Sequence, residues 1–186
     1  MMRSRLWCRR SFLKTSFLGA ALLLGAPSLS KALLTDRTPL GKLRLYNLHT
    51  EERLEIVYRN CCGEYDRKAL DALNWLLRCP YTQKTVNMDV RVIEYLNQVD
   101  KNLGGNHEIH IVSGYRSPQY NELLFREGRG VAKNSLHMQG RAIDIRIPRL
   151  GLDRLRQTAL SLRYGGVGYY PLSDFVHLDS GRFRFW

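Results

Sequence analysis

The stretch Ser135-Leu136-His137-Met138-Gln139-Gly140-Arg141-Ala142-Ile143-Asp144 decides how this chain is read, together with His177 downstream. It sets an imidazole ahead of a carboxylate, and His177 adds a second imidazole near the end of the chain. Two histidines and one carboxylate form a three-ligand set suited to catalytic zinc, which keeps its fourth position for water.

Periodicity indicates how those ligands could meet. From Ala142 to Ile147 the residues alternate, with Ile143, Ile145 and Ile147 on one face and Ala142, Asp144 and Arg146 on the other. This is the period of a strand with one apolar side, so Asp144 points away from the isoleucines. Gly140 permits backbone angles or a close approach that a side chain forbids, so the loop carrying His137 can fold back over the Asp144 strand. Phe175-Val176-His177-Leu178-Asp179 alternates too, with His177 sharing a face with Phe175 and Asp179. Two strands can then aim polar faces at one ion. The spacing by itself is common, and the neighbouring residues are what give it weight.

Those neighbours, Ser135-x-His137-x-x-Gly140-x-Ala142-x-Asp144, resemble the S-x-H-x-x-G-x-A-x-D motif of the zinc D-Ala-D-Ala carboxypeptidase and VanX-type dipeptidase family. Asp174-Phe175-Val176-His177 resembles its E-x-W-H motif, and the two occur in the right order. Ser113-Gly114-Tyr115-Arg116-Ser117 is similar to the segment that supplies an active-site arginine there. From about Leu43 to the C-terminus the chain most resembles the MepK-like branch of murein endopeptidases.

The likeness implies a zinc peptidase hydrolysing amide bonds in the peptide stems or cross-links of peptidoglycan, as an endopeptidase, with Zn2+ on His137, Asp144 and His177. It implies a general base at Asp174, where the family has Glu; the shorter side chain must be brought closer by the backbone. Strand parity offers Asp179 as a competitor, because it shares the face of His177. The family tryptophan is Val176 here, so that wall of the site differs. Arg116 would donate hydrogen bonds to a substrate carbonyl or carboxylate, since a guanidinium keeps its charge and presents a rigid fork. A cleft with Arg116, Arg129 and Arg141 would favour stems carrying free carboxylates. Rival readings are a D,D- or L,D-carboxypeptidase, a dipeptidase, and a peptidoglycan-binding module that keeps the fold without catalysis.

The formal charge of +12 on 186 residues invites a nucleic-acid reading. Six of the basic residues, and no acid, lie in residues 1–32, so the chain beyond them carries only +6. Arg9-Arg10-Ser11-Phe12-Leu13-Lys14, an apolar run from Phe17 to Ala26 and Ser30-Lys31-Ala32 read as a cleavable export signal resembling the twin-arginine type. The apolar run is short for a transmembrane helix, which needs roughly 20 residues. A periplasmic, monomeric protein is expected, with peptidoglycan as its partner, no nucleic acid and no membrane span in the mature form. The expected division is a signal over 1–32, a tail over 33–41 and a zinc peptidase domain over 42–186.

Lys42 to Asn47 and Arg53 to Tyr58 alternate around a polar turn and predict a hairpin, with His49 in the turn. Asp66 to Arg78 and Asp89 to Leu103 have helical spacing, with Trp75 and Tyr95 taken as packing residues. His107 and His110 face opposite sides of a strand and cannot easily share an ion. A short helix over Asn121 to Glu127 leads to a basic loop that would wall the cleft, and Tyr169 and Tyr170 are placed at its edge. Cys79 either bridges to Cys61 or Cys62, or all three stay buried thiols. The expected fold is one α+β domain with a central antiparallel sheet carrying the zinc site and helices packed mainly behind it, as in hedgehog and D-Ala-D-Ala peptidase folds.

Overall fold

Alternating apolar residues give the domain its sheet. The computed structural model describes residues 39–186; the signal-like stretch 1–32, with Cys8, and residues 33–38 of the tail lie outside them. Among the described residues seven strands form one sheet: β1 (Gly41–Asn47), β2 (Arg53–Arg59), β3 (Glu108–Ser113), β4 (Ala142–Arg146), β5 (Gly166–Tyr170), β6 (Phe175–Asp179) and β7 (Arg184–Phe185). Their spatial order is β2-β1-β3-β4-β6-β5-β7. The predicted hairpin is present as β1 and β2.

The α+β class holds, but the sheet is mixed rather than wholly antiparallel. The site-bearing run β3-β4-β6-β5 is antiparallel, whereas β1 runs parallel to β3 and β5 parallel to β7. The first parallel pair follows from the long connection between β1 and β3, which passes through β2 on one edge of β1 and then two helices before β3 pairs with the other edge.

Among the described residues four helices complete the fold: α1 (Arg67–Leu76), α2 (Val90–Asn102), α3 (Pro118–Arg126) and α4 (Leu152–Leu162). Asp66 caps α1 by accepting from the Lys68 and Ala69 amides, and Asp89 caps α2 through the Arg91 amide. One sheet face carries Leu43, Leu45, Ile109, Ile111, Ile143, Ile145, Val176 and Leu178, all buried against α1, α2 and α4. Each such side chain contributes roughly 1.5–3 kcal/mol by leaving water. Tyr95 belongs to this core, donating its hydroxyl to the Ala159 carbonyl at 2.8 Å. Trp75 does not. α1 turns Ala69, Leu73 and Leu76 inward, so the indole one residue before Leu76 projects outward, with the Arg78 guanidinium 4.2 Å from its centroid.

Because the helices cover that face, the other face of the sheet is left to polar residues. Cross-strand register sets two rows on it. Asp144 lies opposite His177, and His177 opposite Gly168; two residues along, Ala142 lies opposite Asp179, and Asp179 opposite Gly166. α3 begins at Pro118 with Ser117 as its cap, and its Asn121 accepts from Arg116. Cys79 is a buried thiol against the Ser117 hydroxyl at 3.5 Å and forms no bridge to Cys61 or Cys62.

Candidate metal centre

His137 reaches the sheet from a 3-10 turn, Leu136–Gln139, whose start is capped by Ser135 Oγ accepting from the His137 amide. Gly140 ends the turn in the left-handed region at φ 65°, and a Cβ there would stand 2.8 Å from Val86 Cγ1. Both the angle and the space demand glycine. The turn is locked to the end of β3: His137 Nδ1 lies 2.7 Å from the Gly114 carbonyl, and the Arg116 amide donates back to the His137 carbonyl at 3.2 Å. Gly114 can present that carbonyl because its own backbone presses on Leu77, whose carbonyl oxygen would lie 2.5 Å from a Cβ.

These constraints settle the imidazole tautomers. A carbonyl only accepts, so His137 Nδ1 carries the hydrogen and Nε2 offers its lone pair. His177 Nε2 faces Asp179 Oδ2 at 3.2 Å and donates to it, which leaves Nδ1 as the ligand atom. His137 Nε2 lies 3.2 Å from Asp144 Oδ1 and 3.2 Å from His177 Nδ1, and His177 Nδ1 lies 2.7 Å from Asp144 Oδ1. Three donor atoms around a tetrahedral ion with bonds of about 2.0–2.1 Å are separated by about 3.3 Å, so two sides of this triangle already fit and the His177–Asp144 side needs to open by about 0.6 Å. Among the described residues these three side chains form the one group arranged to hold a metal.

Electrostatics favour a positive charge at the same point. Burial raises the Asp144 carboxyl, but His137 and His177 outweigh it and hold the group well below the usual carboxylate range. Burial opposes charge on His177, yet the hydrogen bonds of Asp144 and Asp179 push it up to about 9. A cation among the three would answer that demand.

Arg116 is 7% exposed and lines the cleft beside Asp144. It donates to Asn121 Oδ1 and Ser113 Oγ, both at 3.3 Å, and stands 3.7 Å from Asp144 Oδ2. Its buried Nε has no partner among the described residues. Asn121 also donates to the Ala132 carbonyl at 3.1 Å, tying the loop of residues 129–134 into the cleft wall. The cleft encloses about 220 Å³.

The structure does not bring Asp174 to this wall. The residue follows the 3-10 turn Pro171–Ser173 at φ 53°, is absent from the cleft lining, and pairs with Arg146 at 2.9 Å in an exposed ion pair. Asp179, the competing base, lies behind the His177 ring, fully buried. It accepts from Arg184 Nη2 at 2.7 Å and from the Gly181 amide at 2.7 Å. It positions His177 and does not face the cleft. Arg141 also turns away, to Ser180 and Asp89, and Arg184 lines the cleft in its place.

The alternating aromatics of Arg182 to Trp186 suggest a last strand, but the place of Trp186 at the site is not legible in them. The β7 strand pairs with β5, the Trp186 amide donates to the Val167 carbonyl at 3.2 Å, and the indole comes to rest 5.4 Å from the His177 ring. Of the two tyrosines expected at the cleft edge, Tyr170 lines it, while Tyr169 faces the helix side against Arg156. A signal for this wall existed in Gly166-Val167-Gly168: bare positions on the His177 face leave room for large groups from elsewhere.

The sequence profile described as peptidoglycan L,D-endopeptidase MepK matches residues 37–186. A Haemophilus influenzae protein named "Probable peptidoglycan L,D-endopeptidase MepK" is 41% identical over 145 residues, 77% of this chain and 77% of its own length. The peptidoglycan L,D-endopeptidase MepK of Escherichia coli strain K12 is 39% identical over 169 residues, 91% of this chain and 90% of its own. The Shigella flexneri protein of the same name matches at 39% identity with the same coverage, 91% of this chain and 90% of its own.

Proposed function

The chain belongs to the peptidoglycan L,D-endopeptidase MepK family, and from that premise we propose that it is a zinc-dependent endopeptidase cutting peptide cross-links of murein in the periplasm. The observation that carries the reading is the convergence of His137 Nε2, Asp144 Oδ1 and His177 Nδ1 at 2.7–3.2 Å, with both imidazole tautomers set from behind. Two nitrogens and one carboxylate oxygen suit zinc among the divalent ions. A zinc ion held there supplies a Lewis acid that acidifies water and polarises an amide carbonyl.

The chain's own residues do the rest. Gly114 and Asp179 keep the two ligand nitrogens free of hydrogen. Arg116, fixed by Asn121 and Ser113, lines the cleft and would bind the oxygen of the scissile carbonyl through its guanidinium. Arg129 and Arg184 add positive charge to the same cleft and favour stems that carry free carboxylates. Asp174 has no role in this reading, because it lies outside the cleft lining and pairs with Arg146. Export by the twin-arginine-type signal of residues 1–32 belongs to the same proposal; among the described residues no helix is long and apolar enough to cross a membrane.

Metal analysis of purified protein, followed by digestion of cross-linked murein and identification of the released muropeptides, tests this. The parent should carry zinc and release uncrosslinked stems; His137→Ala should lose both the ion and the cleavage. Cleavage by His137→Ala at the parental rate would refute it, and murein binding without cleavage by the parent would favour a binding module.

A further inference from the structure

We propose that the phenol of Tyr170, oriented by Trp186, is a second hydrogen-bond donor to the substrate carbonyl across the cleft from Arg116; this rests on the peptidase reading above. The placement follows from Gly168, which lies opposite His177 in the sheet. A Cβ on Gly168 would stand 2.8 Å from Tyr170 Cε2 and 2.8 Å from Trp186 Cε2 and Cζ2. Both rings therefore close over that glycine, and the Tyr170 ring leans back along β5 toward the row that holds His177 and Asp144.

The hydroxyl is then polarised in one sense. Trp186 Nε1 can only donate, and it donates to Tyr170 Oη at 2.7 Å. The phenol oxygen accepts there, and no described residue accepts the phenol's own hydrogen, which is left to a ligand in the cleft that Tyr170 lines. Phe175 stacks on the Tyr170 ring with centroids 4.5 Å apart and planes 18° apart, so the ring is held before substrate arrives. Trp186 is held in turn: its carbonyl accepts from the Tyr169 amide at 3.1 Å and Arg184 lies 4.9 Å from its ring centroid. A donor fixed in advance is what stabilises charge that appears only in the transition state.

In the reaction, the oxygen of water bonds to the amide carbon and the carbonyl π pair moves onto oxygen. That oxyanion accepts from Tyr170 and Arg116. As the carbonyl reforms, the C–N bond breaks and the proton given up by water ends on the leaving nitrogen. The products are a carboxylic acid and an amine, which exchange one further proton to become a carboxylate and an ammonium, and the phenol keeps its proton throughout.

The test compares the zinc-loaded parent with Tyr170→Phe, Trp186→Phe and the double variant on a cross-linked muropeptide, with zinc content and thermal melting measured alongside. Tyr170→Phe should lower kcat by about 10²-fold with KM and zinc content unchanged, the loss expected for one oxyanion donor. Trp186→Phe should lower kcat by about tenfold, and the double variant should be no slower than Tyr170→Phe, because the indole acts through the phenol. A Tyr170→Phe enzyme as fast as the parent, or one whose loss lies in KM or zinc content, overturns the proposal. Should Tyr170→Phe melt early, a Trp186→Phe enzyme with parental melting and parental kcat overturns it equally. A zinc-loaded parent that releases nothing overturns the peptidase reading itself, a result distinct from equal rates in parent and variant.

Discussion

Replacing Asp179 by Asn separates two roles that the sequence leaves open for this residue. Its Oδ1 accepts from the Gly181 amide at 2.7 Å, Arg184 Nη1 at 3.0 Å and the Gly166 amide at 3.3 Å. Its Oδ2 accepts from Arg184 Nη2 at 2.7 Å and His177 Nε2 at 3.2 Å. An asparagine of the same shape keeps its oxygen where three donors converge and so turns its NH2 toward His177. That group only donates, and Nε2 must then become an acceptor, which moves the imidazole hydrogen onto Nδ1, the atom aimed at the ion. Loss of such an outer partner costs about 10–100-fold in metal affinity, or about 1.4–2.7 kcal/mol. Stability should fall as well, by about 1.5–3 kcal/mol, because Arg184 loses a charged acceptor. Zinc titration against a chromophoric chelator, well below the melting temperature, reads the first effect, and saturating zinc should restore most of kcat. A variant with parental zinc affinity and kcat lowered by about 10²–10⁴-fold would refute this account and make Asp179 the base.

Asp174→Asn should leave kcat near the parental value and cost at most about 1 kcal/mol of stability, the worth of an exposed ion pair such as that with Arg146; a collapse of kcat at unchanged melting would restore Asp174 as base. Gly168→Ala puts a methyl 2.8 Å from both Tyr170 and Trp186, so it should destabilise by about 1–3 kcal/mol and slow catalysis without loss of zinc. Melting curves and steady-state rates check this, and a variant matching the parent in both would mean that the rings do not depend on that space.

What could be read in advance was what short-range periodicity encodes. Alternation at Ile143, Ile145 and Ile147 and at Phe175, His177 and Asp179 correctly assigned the two sheet faces, and Asp66 and Asp89 announced their helices as caps. What could not be read was pairing at a distance. Nothing local in Leu43-Arg44-Leu45 says that β1 will lie parallel to β3, nor that Trp186 will cross to Gly168. At Asp174 the motif and the backbone point different ways. Counting back from His177 assumes an extended chain, but the strand begins only at Phe175, and the left-handed turn at Asp174 sends its carboxylate to Arg146.

The same parity explains why the aromatic wall comes from the end of the chain. In the resembling motif a tryptophan precedes the last histidine, whereas here that position is Val176, which is fully buried among the core residues on the helix side. In this strand a residue next to His177 in sequence must face away from it, so no side chain at 176 could wall the ion site. The wall has to be built from neighbouring strands, and β5 offers only Gly166 and Gly168 on that face until Tyr170. The short β7 strand fills the gap: by pairing with β5 it lays Trp186 across Gly168, beside His177 and against the Tyr170 hydroxyl. Two glycines and a two-residue strand, unremarkable as local sequence, are therefore parts of one device, and changing either end should disturb the other.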